Sequence, residues 1–385
     1  MSRGLGDVYK RQPCAHACGL YICASYGIPF CIIRCCFVLF MMNTTNACEE
    51  HKMGEPGLWK YCTAGHCREM ILSLRLLEGE EWTQGRVLSC LYAISNHTEK
   101  HYNKQKLIKK GGGVRHILAP DPVLKTVQRN ILHHVLEGLE VSPCAMAYHK
   151  GASVRLNAAC HMDKQVVLKL DIKDFFGSIT FPMVHRGAFN SRYFPVPVGT
   201  LLTSLCCCQD RLPQGSPASA AISNLVMKPF DTYMEGWCRD RGIVYTRYCD
   251  DMTFSGDFRV SAVYGKVNGF LGAMGFELNQ SKTKVLTRHV RQTVTGMVVN
   301  DKVQVPLPYR RALRQEVYYC LKYGVKEHLR HRGETAYLAM GEEGELRYLQ
   351  SLCGRIGFVL SADPEDKWFR DAADLVTGNI KTYLK

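Results

Sequence analysis

The cysteines lack the spacing expected of a metal-binding or disulfide-stapled protein. The chain has nineteen cysteines, yet no two are spaced as Cys-x-x-Cys, and seven of them precede residue 49. The others are scattered through apolar segments, including three neighbours at 206–208 that cannot all pair locally. Cys62, His66 and Cys67 are conceivable zinc ligands, but no second pair with suitable spacing follows them. These absences favour free, buried thiols in a reducing cytosol.

Acidic residues are scarce relative to basic ones. The 385 residues include 49 Lys and Arg against 35 Asp and Glu, a formal net charge of +14 that implies an anionic partner. The excess is concentrated in residues 282–332, which hold twelve Lys and Arg against Asp301, Glu316 and Glu327. This pattern is typical of nucleic-acid binding, with a basic solvated face as the alternative. A hydrophobic content of 46% excludes general disorder and allows two or three subdomains with substantial cores.

A glycine run at 111–113 lacks the continuation of a phosphate-binding loop. No Gly-Lys-Ser or Gly-Lys-Thr follows it, which argues against a P-loop. Residues 107–120 instead predict two short strands around a Gly-rich turn. Arg115 on the second strand could reach an incoming triphosphate as a charged clamp.

Residues 1–47 do not resemble the rest of the chain. Residues 1–12 resemble a translated sequencing-adapter artefact, so we exclude this leader from fold reasoning. Residues 12–33 are free of Asp, Glu, Lys and Arg for long enough to span a bilayer, but Pro and Gly interrupt them and Arg34 ends them. We therefore expect a non-native leader rather than a membrane helix. The expected true start is Met41, Met42 or Met53.

Two adjacent carboxylates stand inside a hydrophobic segment at 244–256. Its β-branched and aromatic residues predict a β-hairpin with Asp250 and Asp251 at or near the turn. Neighbouring strand residues point to opposite faces, so the turn must bend both acids towards one site. A third acid is needed, and Asp171 at the end of the apolar strand 166–171 is the best candidate. Such hard oxygen ligands suit Mg²⁺, and two ions could clamp a phosphoryl transfer; an ordinary solvated turn is the alternative.

Three segments, in order, resemble the palm of a reverse transcriptase. They are the strand and aromatic pair at 166–176, Leu-Pro-Gln-Gly-Ser-Pro at 212–217 and Tyr-Cys-Asp-Asp at 248–251. Two further patterns are typical of retron reverse transcriptases: Asn-Ala-x-x-His at 157–161 and Val-Thr-Gly at 294–296. The resemblance covers nearly all of residues 48–385. The chain departs from the family at Ala220, where proline is usual, and at Cys249, where alanine is commoner.

The resemblance assigns roles to individual residues. It implies catalysis by Asp171, Asp250 and Asp251, and two Mg²⁺ ions held by Asp171, Ile172, Asp250 and Asp251. It implies a nucleotide site, in which Phe176 closes the sugar pocket, made of Arg115, Phe176, Gln214 and Lys282. It implies recognition of RNA and primer by Asn157, His161, Val294, Thr295 and Gly296. By composition alone, His161 would instead be a satisfied core histidine.

The resemblance also implies the architecture, an α+β right-hand polymerase. We expect N-terminal helices and fingers at 48–165, a palm with part of the fingers at 166–300, and a helical thumb at 301–385. The palm should be an antiparallel sheet packed on helices. In the thumb, Pro308 should open one amphipathic helix whose apolar face carries Leu313, Val317, Leu321, Val325 and Leu329. Its basic side would hold a duplex backbone without reading sequence.

A retron enzyme would be an RNA-directed DNA polymerase in the bacterial cytoplasm. It would copy part of a cognate structured non-coding RNA into branched, multicopy single-stranded DNA, starting from an internal guanosine 2′-hydroxyl and consuming dNTPs. Its partners would be that RNA, the RNA–DNA product and an effector or toxin protein in anti-phage defence, without a membrane. Two alternatives remain: a group II intron-like reverse transcriptase, and a non-catalytic RNA-binding scaffold.

Overall fold

The computed structural model describes residues 57–78, 82–108 and 114–383. The expectations for residues 1–47 and for the glycine run at 111–113 lie outside these ranges. Within them, no helix combines the length and the apolar character needed to cross a bilayer.

The first part of the described chain is helical and then forms a hairpin. Helices α1 (Ala64–Ser73) and α2 (Gln84–Asn96) confirm the helical prediction for this region. Strands β1 (Tyr102–Ile108) and β2 (Val114–Pro120) pair antiparallel, as predicted. Helix α3 (Pro122–Ile131) begins at Pro122, where the Asp121 side chain accepts a hydrogen bond from the Leu124 amide at 2.8 Å.

Helices surround the strands that carry the acids. They are α4 (Val154–Ala159), α5 (Phe175–Ser178), α6 (Phe181–Ala188), α7 (Val196–Cys206), α8 (Ser219–Arg239) and α9 (Val260–Met274). The 21-residue helix α8 has the longest buried face of this set and packs against α6 and the first strand of the hairpin. It thereby supports the hairpin from behind.

The central sheet is antiparallel. It contains β3 (Val166–Asp171), β4 (Val244–Tyr248), β5 (Asp251–Gly256) and β6 (Lys284–Thr287), in the spatial order β4-β5-β3-β6. Strands β3 and β5 lie side by side because their alternate residues are both apolar and buried, for example Leu168 opposite Phe254. This sheet packed on helices confirms the predicted α+β right-hand polymerase fold.

The last part of the chain is a helical thumb preceded by a short hairpin. Strands β7 (Thr293–Val294) and β8 (Met297–Val298) lead into five helices: α10 (Leu307–Tyr323), α11 (Val325–Arg332), α12 (Thr335–Leu338), α13 (Glu342–Ala362) and α14 (Lys367–Tyr383). The single long helix expected from Pro308 is wrong. The helix breaks at Gly324, whose φ is 84°, so Val325 and Leu329 belong to a second helix and Leu321 is 37% exposed.

Two hydrophobic cores contact opposite faces of β3, since Leu168 belongs to the first and Val167 to the second. The first joins the N-terminal helices, the sheet and helices α6 to α9. The second joins the thumb helices with the β7–β8 hairpin and with Val167 of β3. The hairpin that was assigned to the end of the palm therefore packs with the thumb, and it connects the thumb to a strand that carries a catalytic candidate.

Candidate active site

The turn between β4 and β5 brings the three acids to one end of the sheet. Cys249 and Asp250 form its two central positions, and Cys249 adopts a positive φ of 61°. Register then places Asp171 directly opposite Asp251. The Ile172 amide donates to the Asp250 carbonyl at 3.2 Å, which fixes the turn against the chain that leaves β3. The sheet therefore brings the three carboxylates to one site, as the hairpin prediction required.

The acids repel one another in a partly enclosed site. Asp171 is only 4% exposed; its Oδ2 accepts a hydrogen bond from Lys282 Nζ at 2.8 Å. Burial, followed by the nearby Asp250 charge, raises the pKa of Asp251. The hydrogen bond to Asp171 raises the pKa of Lys282. The site therefore carries excess negative charge that Lys282 compensates only in part.

The donor atoms of this site fit a divalent cation. The Oδ1 atom of Asp171 is buried and has no hydrogen-bond partner, as expected of an oxygen that would coordinate a metal ion. Among the described residues, no hydrogen bond reaches the Ile172 carbonyl oxygen either. No three acidic, histidine or cysteine side chains in the described ranges already converge as a metal-binding group. Lys282 occupies one of the two carboxylate oxygens of Asp171 in this structure.

A cleft of about 540 Å³ opens over the acids. Its lining contains all four residues that the resemblance assigned to nucleotide binding: Arg115, Phe176, Gln214 and Lys282. These residues come from β2, helix α5, the turn before α8 and the segment after α9, so only the tertiary fold places them together. Tyr148 and Asn279 also line the cleft, and no sequence pattern distinguished them.

The two adjacent phenylalanines have different environments. Phe175 is buried in the core and contacts Phe276, with ring centroids 6.0 Å apart. Phe176 is only partly buried and faces the cleft, with its ring 5.4 Å from that of Phe175. Phe176 is therefore the aromatic that is available to contact a nucleotide sugar.

The turn that carries Gln214 rests directly on β2. The Leu118 amide donates to the Gln214 carbonyl at 2.9 Å. At Gly215, where φ is 133°, an added Cβ would lie 2.5 Å from the Leu118 carbonyl oxygen, so only glycine fits. This close approach joins Gln214 and Arg115 in one cleft.

Asn157 and His161 lie behind the sheet and do not face the cleft. Both are fully buried, so neither side chain is available to contact RNA directly, and their expected role in RNA and primer recognition stays a prediction in which they act through neighbouring residues. His161 Nε2 and Nδ1 lie 2.7 Å from Thr246 Oγ1 and Ser255 Oγ. Burial lowers the pKa of His161 to about 3, so the imidazole is neutral. The interpretation from composition, a satisfied core histidine, describes this environment.

The Val-Thr-Gly segment forms the β7–β8 turn. Its central residues, Thr295 and Gly296, both have positive φ, at 46° and 85°. Thr295 Oγ1 donates to the Val154 carbonyl at 3.1 Å and accepts from Asn157 Nδ2 at 3.5 Å. The Thr246 hydroxyl in turn donates to Asn157 Oδ1. Val294 is buried in the thumb core, so the Val-Thr-Gly segment is connected to the rest of the protein through packing and not through its position in the sequence.

These bonds form one buried chain of polar groups. It runs from the turn at Thr295 through Asn157 to Thr246 on β4, and then through His161 to Ser255 on β5. Because Thr246 gives its only proton to Asn157, we assign Nε2 of His161 as the donor to Thr246. The two patterns that suggested a retron enzyme are therefore physically linked to each other and to the catalytic hairpin.

A buried ion pair beneath the catalytic turn escaped the sequence analysis. Arg247 and Asp231 are both fully buried, and Arg247 Nε donates to Asp231 Oδ1 at 2.8 Å. Arg247 Nη1 also donates to the Cys249 carbonyl at 3.0 Å and to Asn224 Oδ1 at 3.2 Å. The Tyr245 hydroxyl donates to the same Asp231 oxygen at 2.8 Å. An arginine within an otherwise uncharged, predicted buried strand was the available signal.

Comparison with known proteins agrees with this geometry. A family profile described as reverse transcriptase (RNA-dependent DNA polymerase) matches residues 107–323. The retron Mx65 reverse transcriptase of Myxococcus xanthus is 36% identical over 276 residues, covering 65% of this chain and 64% of that protein. The retron Ec86 reverse transcriptase of Escherichia coli is 32% identical over 224 residues, covering 56% and 69%.

A third relative, the retron Mx162 reverse transcriptase of Myxococcus xanthus, is 31% identical over 303 residues, covering 69% of this chain and 59% of that protein. The matches thus span between 59% and 69% of the lengths of these three relatives. With the ordered motifs, the antiparallel palm sheet and the acids opposed across β3 and β5, they show that the chain belongs to the reverse transcriptase family and, within it, to the retron type.

Proposed function

We propose that this chain is an RNA-directed DNA polymerase. The observation that carries the proposal is the pairing of Asp171 with Asp251 across the sheet, with Asp250 in the connecting turn. These acids border the same cleft as Arg115, Phe176 and Gln214, which are suited to a triphosphate, a sugar and a base pair. A scaffold that only bound RNA would have no chemical use for three acids in a nucleotide-sized cleft.

We propose Mg²⁺ as the divalent metal of this site. The ligands would be the carboxylates of Asp171, Asp250 and Asp251 and the main-chain carbonyl of Ile172, all of them hard oxygen donors. When bound, two such ions lower the pKa of the attacking hydroxyl and neutralise charge on the leaving pyrophosphate. Lys282 holds Asp171 Oδ2 now, and on metal binding we expect it to turn towards the triphosphate.

The chain's own residues would position the substrates. Arg115 would hold the triphosphate, and the turn at Gln214 would lie against the templating base pair. Phe176 would stack on the deoxyribose and exclude a 2′-hydroxyl. No covalent enzyme intermediate is needed, because positioning and electrostatics supply most of the catalysis in phosphoryl transfer.

We further propose the retron reaction for this enzyme. It would copy part of a cognate structured RNA from an internal 2′-hydroxyl, giving branched DNA, and would act with an effector protein in anti-phage defence. The retron relatives and the buried polar chain behind the palm support this proposal. A cytoplasmic location fits the twelve described cysteines, which are all free thiols.

Two assays test these proposals at separate levels. Extension of oligo(dT) on poly(rA), with Mg²⁺ and dTTP, tests the polymerase activity. Binding of that primer–template without any synthesis would favour the scaffold alternative. Co-expression with the flanking locus, followed by treatment of small DNA with debranching enzyme, tests the retron reaction. A product with an ordinary 3′–5′ junction would favour the group II intron-like alternative.

Replacing Phe176 with alanine should admit ribonucleotides. Because the ring borders the cleft beside Asp171, its loss removes the barrier to a 2′-hydroxyl. We expect the dNTP-to-rNTP ratio of kcat/KM to fall at least about tenfold, roughly 1.4 kcal/mol of discrimination. Phe176→Tyr, which keeps the ring, is the matched control. An unchanged ratio in Phe176→Ala would assign the ring to packing alone.

Replacing Thr295 with valine should impair initiation more than extension. The substitution keeps the side-chain shape but removes the hydroxyl that bonds Val154 and Asn157. Loss of bonds worth about 1 kcal/mol should lower initiation on the cognate RNA at least about fivefold. Extension on poly(rA) should change little, and Thr295→Ser, which keeps the hydroxyl, should retain both activities. Equal losses in the two assays would show that the hydroxyl only stabilises the fold.

A further inference from the structure

An aromatic cavity lies on the thumb where α10 ends and α11 begins. We call it the tyrosine pocket; it has a volume of about 560 Å³ and is lined by Tyr319, Tyr323, Glu327, His328 and His331. Its lining consists of four rings and one carboxylate, without an aliphatic side chain. None of these residues has a part in the polymerase chemistry proposed above.

The break in the thumb helix creates the pocket. Gly324, with φ of 84°, ends α10 and allows α11 to begin on a new axis. His328 then lies beside Tyr319, with ring centroids 6.5 Å apart and ring planes 18° from parallel. Tyr323 lies on the other turn of α10, 5.9 Å from Tyr319 and 25° from parallel. The rings of His328 and Tyr323 thus each lie within 25° of parallel to the Tyr319 ring, so Tyr319 belongs to two stacked pairs.

The rim of the pocket is exposed and cationic. Tyr323 is 55% exposed, and the neighbouring Tyr318 is 52% exposed. Lys322 Nζ lies over both of these rings, at 5.2 and 5.3 Å from their centroids. Within the described part of the chain, neither Lys322 nor Lys326 forms an ion pair, whereas Glu327 is neutralised by Arg330. Lys322 Nζ also donates a hydrogen bond to the Tyr318 hydroxyl at 2.9 Å, and Lys326 precedes the pocket residue Glu327 in sequence, so no acidic side chain competes with an anionic ligand for these two lysines.

We propose that the tyrosine pocket binds an unpaired base of an RNA strand. The base would stack on Tyr319 and Tyr323, and its flanking phosphates would meet Lys322 and Lys326. Aromatic rings beside cations that form no ion pair are suited to a nucleotide, which has a flat base and charged phosphates. An apolar protein segment would instead require aliphatic walls, which this pocket lacks. A duplex cannot enter, because its bases stack on one another. The proposal rests on the proposed function only in that the partner is RNA.

Binding and crosslinking with defined oligonucleotides test the proposal. The probes are fluorescein-labelled (rA)12, a blunt 12-base-pair RNA duplex, and (rU)12 that contains 4-thiouridine. The variant Tyr319→Leu/Tyr323→Leu keeps apolar volume without rings, and Tyr319→Phe/Tyr323→Phe keeps the rings. We expect the leucine variant to bind (rA)12 between about fivefold and a hundredfold more weakly. Duplex binding, thermal stability and kcat for oligo(dT) extension at saturating poly(rA) should not change.

Salt dependence separates stacking from charge. Since tyrosine carries no charge, the slope of log Kd against log salt should be the same in wild type and leucine variant, while Lys322→Gln should reduce it. The phenylalanine variant should bind as wild type does, and the crosslink should map to residues 318–331. Three results would each overturn the proposal. The leucine variant could bind (rA)12 as tightly as wild type, it could lose strand and duplex binding equally, or it could lose a self-associated form in sedimentation. Failure of poly(rA) extension in wild type would instead overturn the polymerase proposal.

Discussion

Replacing Asp250 or Asp171 with asparagine is expected to reduce DNA synthesis by about 10³-fold or more. Each carboxylate borders the cleft, and each substitution removes a negative oxygen that a divalent metal would require. Folding should survive, because asparagine has nearly the same shape. Asp250→Asn should even be slightly more stable than wild type, since it relieves the repulsion that helps to raise the pKa of Asp251. Single-nucleotide extension rates and thermal melting measure the two effects.

The matched control is Asp257→Asn. Asp257 follows β5 at the end of the strand opposite to Asp251, is exposed and does not line the cleft. This variant should keep full activity and stability. A folded Asp171→Asn or Asp250→Asn protein that retained more than about a tenth of the wild-type rate would remove the metal-dependent mechanism from consideration.

Replacing Arg247 with methionine should destabilise the protein and slow catalysis together. The substitution leaves Asp231 as an uncompensated buried charge, a cost of about 3–5 kcal/mol in the free energy of unfolding. It also removes the hydrogen bond that holds the Cys249 carbonyl in the catalytic turn. Denaturant unfolding measures the first effect, and kcat for primer extension measures the second. The exposed Arg239→Met is the matched control and should change stability by less than about 0.5 kcal/mol.

The double variant Arg247→Met/Asp231→Leu separates the two effects. Replacing both members of a buried ion pair by apolar residues is often close to neutral for stability, so we expect it to recover part of the unfolding free energy. The Tyr245 hydroxyl loses its acceptor in this variant, which costs about 1–3 kcal/mol and prevents full recovery. The bond to the Cys249 carbonyl is still absent, so kcat should stay low. Recovery of kcat in parallel with stability would show that Arg247 serves the fold alone and does not position the turn.

Local patterns in the sequence predicted the parts of the site that depend on neighbouring residues. The hairpin around Asp250 and Asp251, the apolar strand before Asp171 and the two strands within residues 107–120 all follow from strand propensity or from turn preferences. The order of the motifs along the chain then indicated the family. Each of these signals depends on residues that are close together in the sequence, where backbone geometry determines the local structure.

Long-range packing decided what those patterns could not. Lys282 meets Asp171 across 111 residues of sequence, and Arg247 meets Asp231 because helix α8 packs behind β4. Two neighbouring phenylalanines look alike in sequence, yet one fills the core and one borders the cleft.

The retron patterns show the same division. The sequence identified Asn157, His161 and the Val-Thr-Gly segment as a set that distinguishes one kind of reverse transcriptase. Only the tertiary structure showed that they are buried and joined by hydrogen bonds behind the palm sheet. The spacing of residues along a chain shows which residue types form a pattern. Whether those residues are buried depends on which distant parts of the chain pack against them. The sequence by itself therefore determined the family and the acids, and the fold decided which residues can reach a substrate.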